Sequence, residues 1–249
     1  MSYLGYLGTM GASYYDYLIA DQIIIPPSQQ SAYREKIIYL PSFQANDSRR
    51  QISSRVFSRS DLGLPDEGFV YCCFNNNYKI TPTIFDSWAK ILLSVEGSVL
   101  LLYADNEEVK INLSREIEVR GVSGDRLIFA GRLSREEYLA RYRAANLFLD
   151  TSPYNSGTTA SDALWAGLPV LTFTGKSFSS RMGASILHAI GMPELVADSQ
   201  KAYELLAIDL GNNPKKFEII KAKLIKNRLA TPLFDTQLFT RNLERSWLE

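Results

Sequence analysis

Between Gly68 and Gly191, short and almost wholly apolar runs alternate with stretches of helical periodicity, and this alternation admits few folds. The order is FVYCCF, TPTIFDSWAKILLSV, SVLLLY, LIFA, REEYLARYRAA, LFLD, TASDALWAG, PVLTF and ASILHAIG. A strand that is apolar at successive positions is buried on both faces, so helices must lie above and below a parallel sheet. The predicted class is therefore α/β, a Rossmann-like doubly wound parallel sheet. Ligands bind such sheets beyond the C-terminal strand ends, which directs attention to the loops after Phe74, Tyr103, Ala130, Asp150 and Phe173.

The flanks read differently. Residues 1 to 57 are rich in Gly, Tyr and Pro, with short extended pieces QIIIPP and KIIYLP stopped by prolines. They are expected to be the tail of an upstream unit, with the polar stretch ANDSRRQISSR as its connection to residues 58 to 249. Tyrosines and glycines crowd the start without a polar lead-in, so further sequence is expected before Met1. After Gly191 the pattern is helical, without obvious strands, and suits covering helices. The lysines between Lys215 and Lys226 read as a solvated helix face.

Charge and cysteine content narrow the function. The 27 basic and 27 acidic residues cancel, so no global field points to nucleic acid or an anionic membrane, and an anionic ligand must be held locally. Cys72 and Cys73 are adjacent in one strand and cannot easily bridge each other, which suits core packing in a reducing compartment. One histidine and no spaced cysteine cluster leave little material for zinc or haem; an Asp/Glu-only metal site stays open but has no signature, and no metal is expected. No apolar stretch reaches the roughly 18 residues of a membrane span, and the N-terminus lacks the pattern of a signal peptide. Cytoplasmic is the default.

The segment YNSGTTASDALWAGLPVLT runs from the strand LFLD through Gly157, Thr158 and Thr159 straight into a helix. A helix N-terminus presents unpaired N–H groups and a positive dipole end, which suits a diphosphate. The same residues also suit simple turn-making and capping. Asp162 falls about one turn on, where a carboxylate can accept from a ribose hydroxyl pair or merely complement the helix dipole.

A second constellation is FNNNYKITP, which ends the first strand of the sheet. Lys79 there is a natural counter-charge for a leaving diphosphate, or a surface lysine; Asn76 and Asn77 offer amides, or ordinary turn residues. In the third, Arg135, Tyr138 and Arg141 follow at spacings of three and share a helix face, so the ring can stack on a base between two guanidiniums. Glu137 and Arg141 at i, i+4 suit a plain surface ion pair equally well. His188 reads as a structural side chain, and Arg181 and Lys176 as residues bordering the cleft or plain surface.

Taken together these segments resemble the C-terminal catalytic half of the O-linked N-acetylglucosamine transferase family and its bacterial relatives. The likeness lies in GYLGTMGASYYDYLIAD, in FNNNYKITP, and above all in DTSPYNSGTTASDALWAGLPVLTFTGKSFSSRMGASIL. It implies a GT-B arrangement of two facing Rossmann-like domains, transferring a sugar from UDP-N-acetylglucosamine to serine or threonine hydroxyls with inversion and without a required metal or cofactor. Residues 58 to 249 would be the UDP-sugar-binding domain, and residues 1 to 57 the remnant of the acceptor-side domain and linker.

By the same resemblance Lys79 steadies the diphosphate and is the catalytic candidate, Asn76 lines the donor site, Thr158 and Thr159 form the phosphate-binding pair, and Asp162 holds the ribose. Arg135 and Arg141 match basic residues near ribose and uracil, and Tyr138 matches a position that is a stacked histidine in animal enzymes. Gly157 stands where many members have histidine, so one diphosphate contact is absent or made by backbone. The acceptor-side domain, the tetratricopeptide repeats and the general base lie upstream of the resemblance, so a protein acceptor would be met through that missing domain. The alternative is a non-catalytic nucleotide-sugar or partner-binding module, with homodimerisation through an apolar face as one expression of it.

Overall fold

A computed structural model describes residues 1–44 and 46–248; of the connecting stretch, Ala45 lies outside the described residues, as does Glu249. The N-terminal segment forms a two-stranded parallel sheet from β1 (Tyr17–Ala20) and β2 (Lys36–Tyr39). The run QIII between them is a turn rather than an extended piece. Asp21 Oδ1 accepts the N–H groups of Ile23 and Ile24 at 2.9 and 2.8 Å, and this local bonding competes successfully with strand pairing.

The large sheet follows the expected alternation. It contains β3 (Val70–Cys73), β4 (Val99–Tyr103), β5 (Leu127–Ala130), β6 (Leu147–Leu149), β7 (Val170–Phe173) and β8 (Val196–Ala197). Their order is β5-β4-β3-β6-β7-β8 and every pairing is parallel. Strand β8 is a correction to the sequence reading. At two residues it is too short to carry a periodic signal, and it exists because β7 offers an open edge.

The helices are α1 (Pro82–Ser94), α2 (Glu107–Val119), α3 (Arg135–Arg141), α4 (Thr158–Ala166), α5 (Met182–Ala189), α6 (Gln200–Asn212), α7 (Pro214–Asn227) and α8 (Thr236–Leu248). Helix α1 shows why these segments fold locally as they do. Thr81 caps it, Pro82 occupies the first turn, and Ile84, Phe85, Trp88, Ile91 and Leu92 form one buried stripe. Helix α2 went unread in the sequence because it buries only Ile117, and its signals are confined to Asn106 as N-cap and Glu107 and Glu108 in the first turn.

Two apolar clusters result. The larger lines both faces of the six-stranded sheet and includes Cys72 and Cys73, which are buried and free. The smaller joins Leu18, Ala20, Ile24, Ile25 and Phe43 to Phe178 and Met182, so the N-terminal segment is packed against α5 and the turn before it. Arg181 reinforces that seam, donating from Nε to Ile23 O at 2.6 Å and from Nη1 to Gly175 O at 3.1 Å. Arg181 is thereby engaged as a staple, while Lys176 and His188 are exposed.

Candidate functional site

The strand order reverses between β3 and β6, which places a crevice between the loops that follow their C-terminal ends. The loop after β6 is built around Asp150, which is 1% exposed. Its Oδ1 accepts from Thr151 N, Ser156 N and Ser156 Oγ, and its Oδ2 from Thr172 Oγ1 at 2.8 Å. Burial raises the pKa of this carboxyl and the hydrogen bonds from Ser156 and Thr172 oppose the rise. A chain folded back on one carboxylate in this way delivers Gly157 to the start of α4. The Ser152–Pro153 peptide bond within the loop is cis.

Gly157 is the N-cap of α4, and no side chain among the described residues caps the helix. This decides between the two uses the sequence allowed for Thr158 and Thr159: neither is a cap, since they are the first two helical residues. Thr158 is exposed, Thr159 is half-buried, and neither hydroxyl is hydrogen-bonded among the described residues. Among the described residues the first N–H groups of α4 are therefore left without a side-chain acceptor, an arrangement suited to an anion.

Lys79 comes to the same place from the loop after β3. Its Nζ donates to Asn155 O at 3.1 Å and lies 3.8 Å from the centre of the Tyr154 ring. Among the described residues no carboxylate is within ion-pair distance of it. Burial lowers the pKa of this ammonium, and the Asp150 charge partly restores it. Asn76 is exposed beside it, Asn77 is spent on Tyr103 O at 2.8 Å, and Asn75 is buried. Asn75 Nδ2 donates to Thr151 Oγ1 and Ser156 Oγ at 2.8 and 2.6 Å, tying the two loops together. Sequence reasoning passed over Asn75 and Tyr154 because only the fold sets them opposite the loop of the neighbouring strand.

Helix α3 delivers its three candidates at graded depth. Arg135 is exposed, Tyr138 is half-buried, and Arg141 is 2% exposed. The Tyr138 hydroxyl shares a short hydrogen bond with Tyr142, and burial pushes its pKa up. Arg141 Nη1 donates to Gly131 O at 2.7 Å, and the guanidinium lies 4.5 Å from the centre of the Phe74 ring. The ion pair with Glu137 that the spacing allowed does not form, because Glu137 turns outward to Arg55 at 3.0 Å. Nε and Nη2 of Arg141 are left buried without an acceptor among the described residues.

Asp162 is the fifth residue of α4, beyond the first turn, and is 4% exposed. It is paired with Arg50, a partner the sequence did not suggest, and Arg135 Nη2 lies 3.7 Å from the same oxygen. Burial raises its pKa and Arg50 opposes that rise. The structure thus brings Lys79, Asn76, Gly157, Thr158 and Thr159 to the switch point, and Asp162 with Arg135 to the side of α4 toward α3. Among the described residues no group of three or more His, Cys, Asp or Glu side chains converges as a metal site, and no helix is long and apolar enough to cross a membrane.

Strand order and an uncapped helix end at the switch point define the class, a doubly wound α/β domain with a crevice competent to hold an anion. Within that class the chain belongs to glycosyl transferase family 41, whose sequence model matches residues 1–53 and 42–243. A Caenorhabditis elegans UDP-N-acetylglucosamine--peptide N-acetylglucosaminyltransferase is 35% identical over 187 residues, covering 75% of this chain and 16% of its own. The Arabidopsis thaliana "Probable UDP-N-acetylglucosamine--peptide N-acetylglucosaminyltransferase SEC" is 34% identical over 256 residues, covering 100% of this chain and 26% of its own. A solved Thermobaculum terrenum O-GlcNAc transferase mutant superposes with a TM-score of 0.87 at 30% identity, over 98% of this chain and 46% of that one. The fold is that of the C-terminal half of a GT-B glycosyltransferase, and the chain spans about a quarter or less of these two curated relatives.

Proposed function

We propose that this chain is the donor-binding half of an inverting glycosyltransferase that moves N-acetylglucosamine from UDP-N-acetylglucosamine to serine or threonine hydroxyls of proteins. The observation that carries the reading is the meeting of Lys79 with the N-terminus of α4 at the switch point, two positive features that, among the described residues, have neither an ion-paired carboxylate nor a side-chain cap. A diphosphate fits there. Support for the sugar and the acceptor comes from the names of the family-41 relatives.

In this reading, negative charge gathers on the leaving diphosphate as the bond to the sugar breaks. Lys79 and the N–H groups of Gly157, Thr158 and Thr159 meet that charge, while Asp162, Arg135, Tyr138 and Arg141 hold the nucleoside and Asn76 lines the mouth. A charge-assisted hydrogen bond contributes about 1.5–3 kcal/mol and a helix end about 0.3–2 kcal/mol. Enzymes typically lower barriers by about 8–23 kcal/mol, so these groups account for part of catalysis. Proton removal from the acceptor falls to the facing, acceptor-side domain in this proposal. Cytoplasmic location, metal independence and residues 1 to 57 as part of the acceptor-side unit belong to the same proposal.

Titrating the chain with UDP tests the core of it. Saturable heat or chemical-shift changes at sub-millimolar UDP are expected, and none at millimolar UDP would sink the reading. Transfer is tested by adding a family-41 acceptor-side domain in trans. Sugar transfer lost on Lys79→Ala is expected, whereas a preparation that binds UDP and never transfers would favour a binding module.

A further inference from the structure

Arg50 lies in the connecting stretch and is fastened to α4 at two points. Its carbonyl accepts from Trp165 Nε1 at 2.9 Å, and its guanidinium pairs through Nη1 with Asp162, one helical turn earlier. The second arm of the fork, Nη2, donates to Asn46 Oδ1 at 3.0 Å. Both side chains of the pair are almost fully withdrawn from solvent, at 7% for Arg50 and 5% for Asp162. Every protein contact recorded on the Asp162 carboxylate, from Arg50 and from the exposed Arg135, falls on Oδ1. Oδ2 has no hydrogen-bond or ion-pair partner among the described residues.

From this geometry we infer that Arg50 is a positioning residue of the donor site, holding Asp162 by one oxygen so that the other is presented to the ribose hydroxyl pair. The inference rests on the donor-site reading above and extends it to a residue outside α3, α4 and the strand-end loops. Two physical effects follow from the contact. A fork anchored on Asn46, with its central carbon 6.0 Å from the centre of the Phe234 ring, is held in place and fixes the Asp162 oxygen it bonds. A buried carboxyl also favours its neutral form unless a cation faces it, and only the ionised form accepts two hydroxyl donors at full strength. The connecting stretch is otherwise laid along α3, with Ser53 N donating to Glu136 O at 3.1 Å and Arg55 pairing with Glu137. Arg50 thus couples the path of that stretch to the nucleoside end of the crevice.

The test compares UDP with 2′,3′-dideoxy-UDP, which lacks the hydroxyl pair, by calorimetric titration of the full chain. The unsubstituted chain is expected to prefer UDP on the order of tenfold or more, the weight of charge-assisted hydrogen bonds to a carboxylate. Arg50→Met is expected to bring the ratio within about twofold of unity. Both ligands are titrated into one preparation, so an unfolded fraction cancels from the ratio. Arg50→Lys, which keeps a cation but loses the fork, is expected to fall between the two and serves if the Met variant does not fold. Preference for UDP that survives in Arg50→Met and Arg50→Lys overturns this inference alone. An unsubstituted chain that binds neither nucleotide overturns the proposed function, and this inference with it.

Discussion

Lys79 donates from Nζ to the main-chain oxygen of Asn155 at 3.1 Å, and through that bond the loop after β3 meets the loop after β6. The acceptor is a neutral carbonyl, and among the described residues no carboxylate forms an ion pair with the half-buried ammonium, on which Asp150 acts only from a distance. Lys79→Ala is expected to weaken UDP binding by roughly 10- to 150-fold, the range of one charge-assisted hydrogen bond, and to leave uridine binding within about twofold. Parallel titrations with UDP and uridine check this. Equal losses for the two ligands would place Lys79 away from the phosphates.

The pH dependence of UDP binding follows from the same residue. Burial lowers the Lys79 pKa in the free protein, and the anion needs the ammonium form. Affinity is therefore present below the lowered value and is lost as pH rises through it, earlier than an ordinary lysine would allow. In Lys79→Arg, whose guanidinium stays charged, the alkaline loss should vanish. Titrations from neutral to alkaline pH on both proteins decide it, and identical profiles would refute the assignment.

Gly183 sits inside α5, where alanine has the better helix propensity by about 1 kcal/mol. A Cβ there would lie 2.5 Å from Asp150 Oδ2 and 2.7 Å from Thr172 Oγ1, two groups already bonded to each other. Gly183→Ala is therefore expected to destabilise the fold by about 1–3 kcal/mol despite its propensity, read as a lower midpoint in urea. A midpoint at or above that of the unsubstituted chain would show that the loop after β6 is not held this tightly.

Arg141 separates stability from binding. It is a buried cation facing two aromatic rings and one carbonyl, with no carboxylate partner among the described residues. Replacing a desolvated charge with an apolar chain of similar length often costs little. Arg141→Met should unfold within about 1 kcal/mol of the unsubstituted chain, while UDP affinity falls roughly tenfold for the loss of one directed donor. Unchanged UDP affinity would assign Arg141 to packing alone.

How much of this was legible in the amino-acid sequence differs by element. Strands β3 to β7 were readable because each is an almost wholly apolar run, broken only by Thr172 in β7, and α1 because its cap, first-turn proline and apolar stripe agree. Helix α2 and strand β8 were not, since one buries a single residue and the other is two residues long. At the candidate site, Gly157, Thr158, Thr159 and Lys79 could be singled out from their place after strand ends. For Glu137 and Arg141 the spacing left two uses open, because i, i+4 states only that two side chains are within reach, and burial on one side and Arg55 on the other separated them.

What the sequence by itself determined is the alternation of elements, the parallel character of the sheet and the loop that carries Gly157 into α4, all consequences of local periodicity and local turn chemistry. The tertiary structure alone decided what meets at those loops. Asn75 faces Thr151 and Ser156 because β3 and β6 are neighbours across the switch point. Arg50 reaches Asp162, 112 residues on, because the connecting stretch runs over α4. Contacts of that separation depend on which burial arrangement lowers the free energy of the whole chain, and no spacing along the sequence records it.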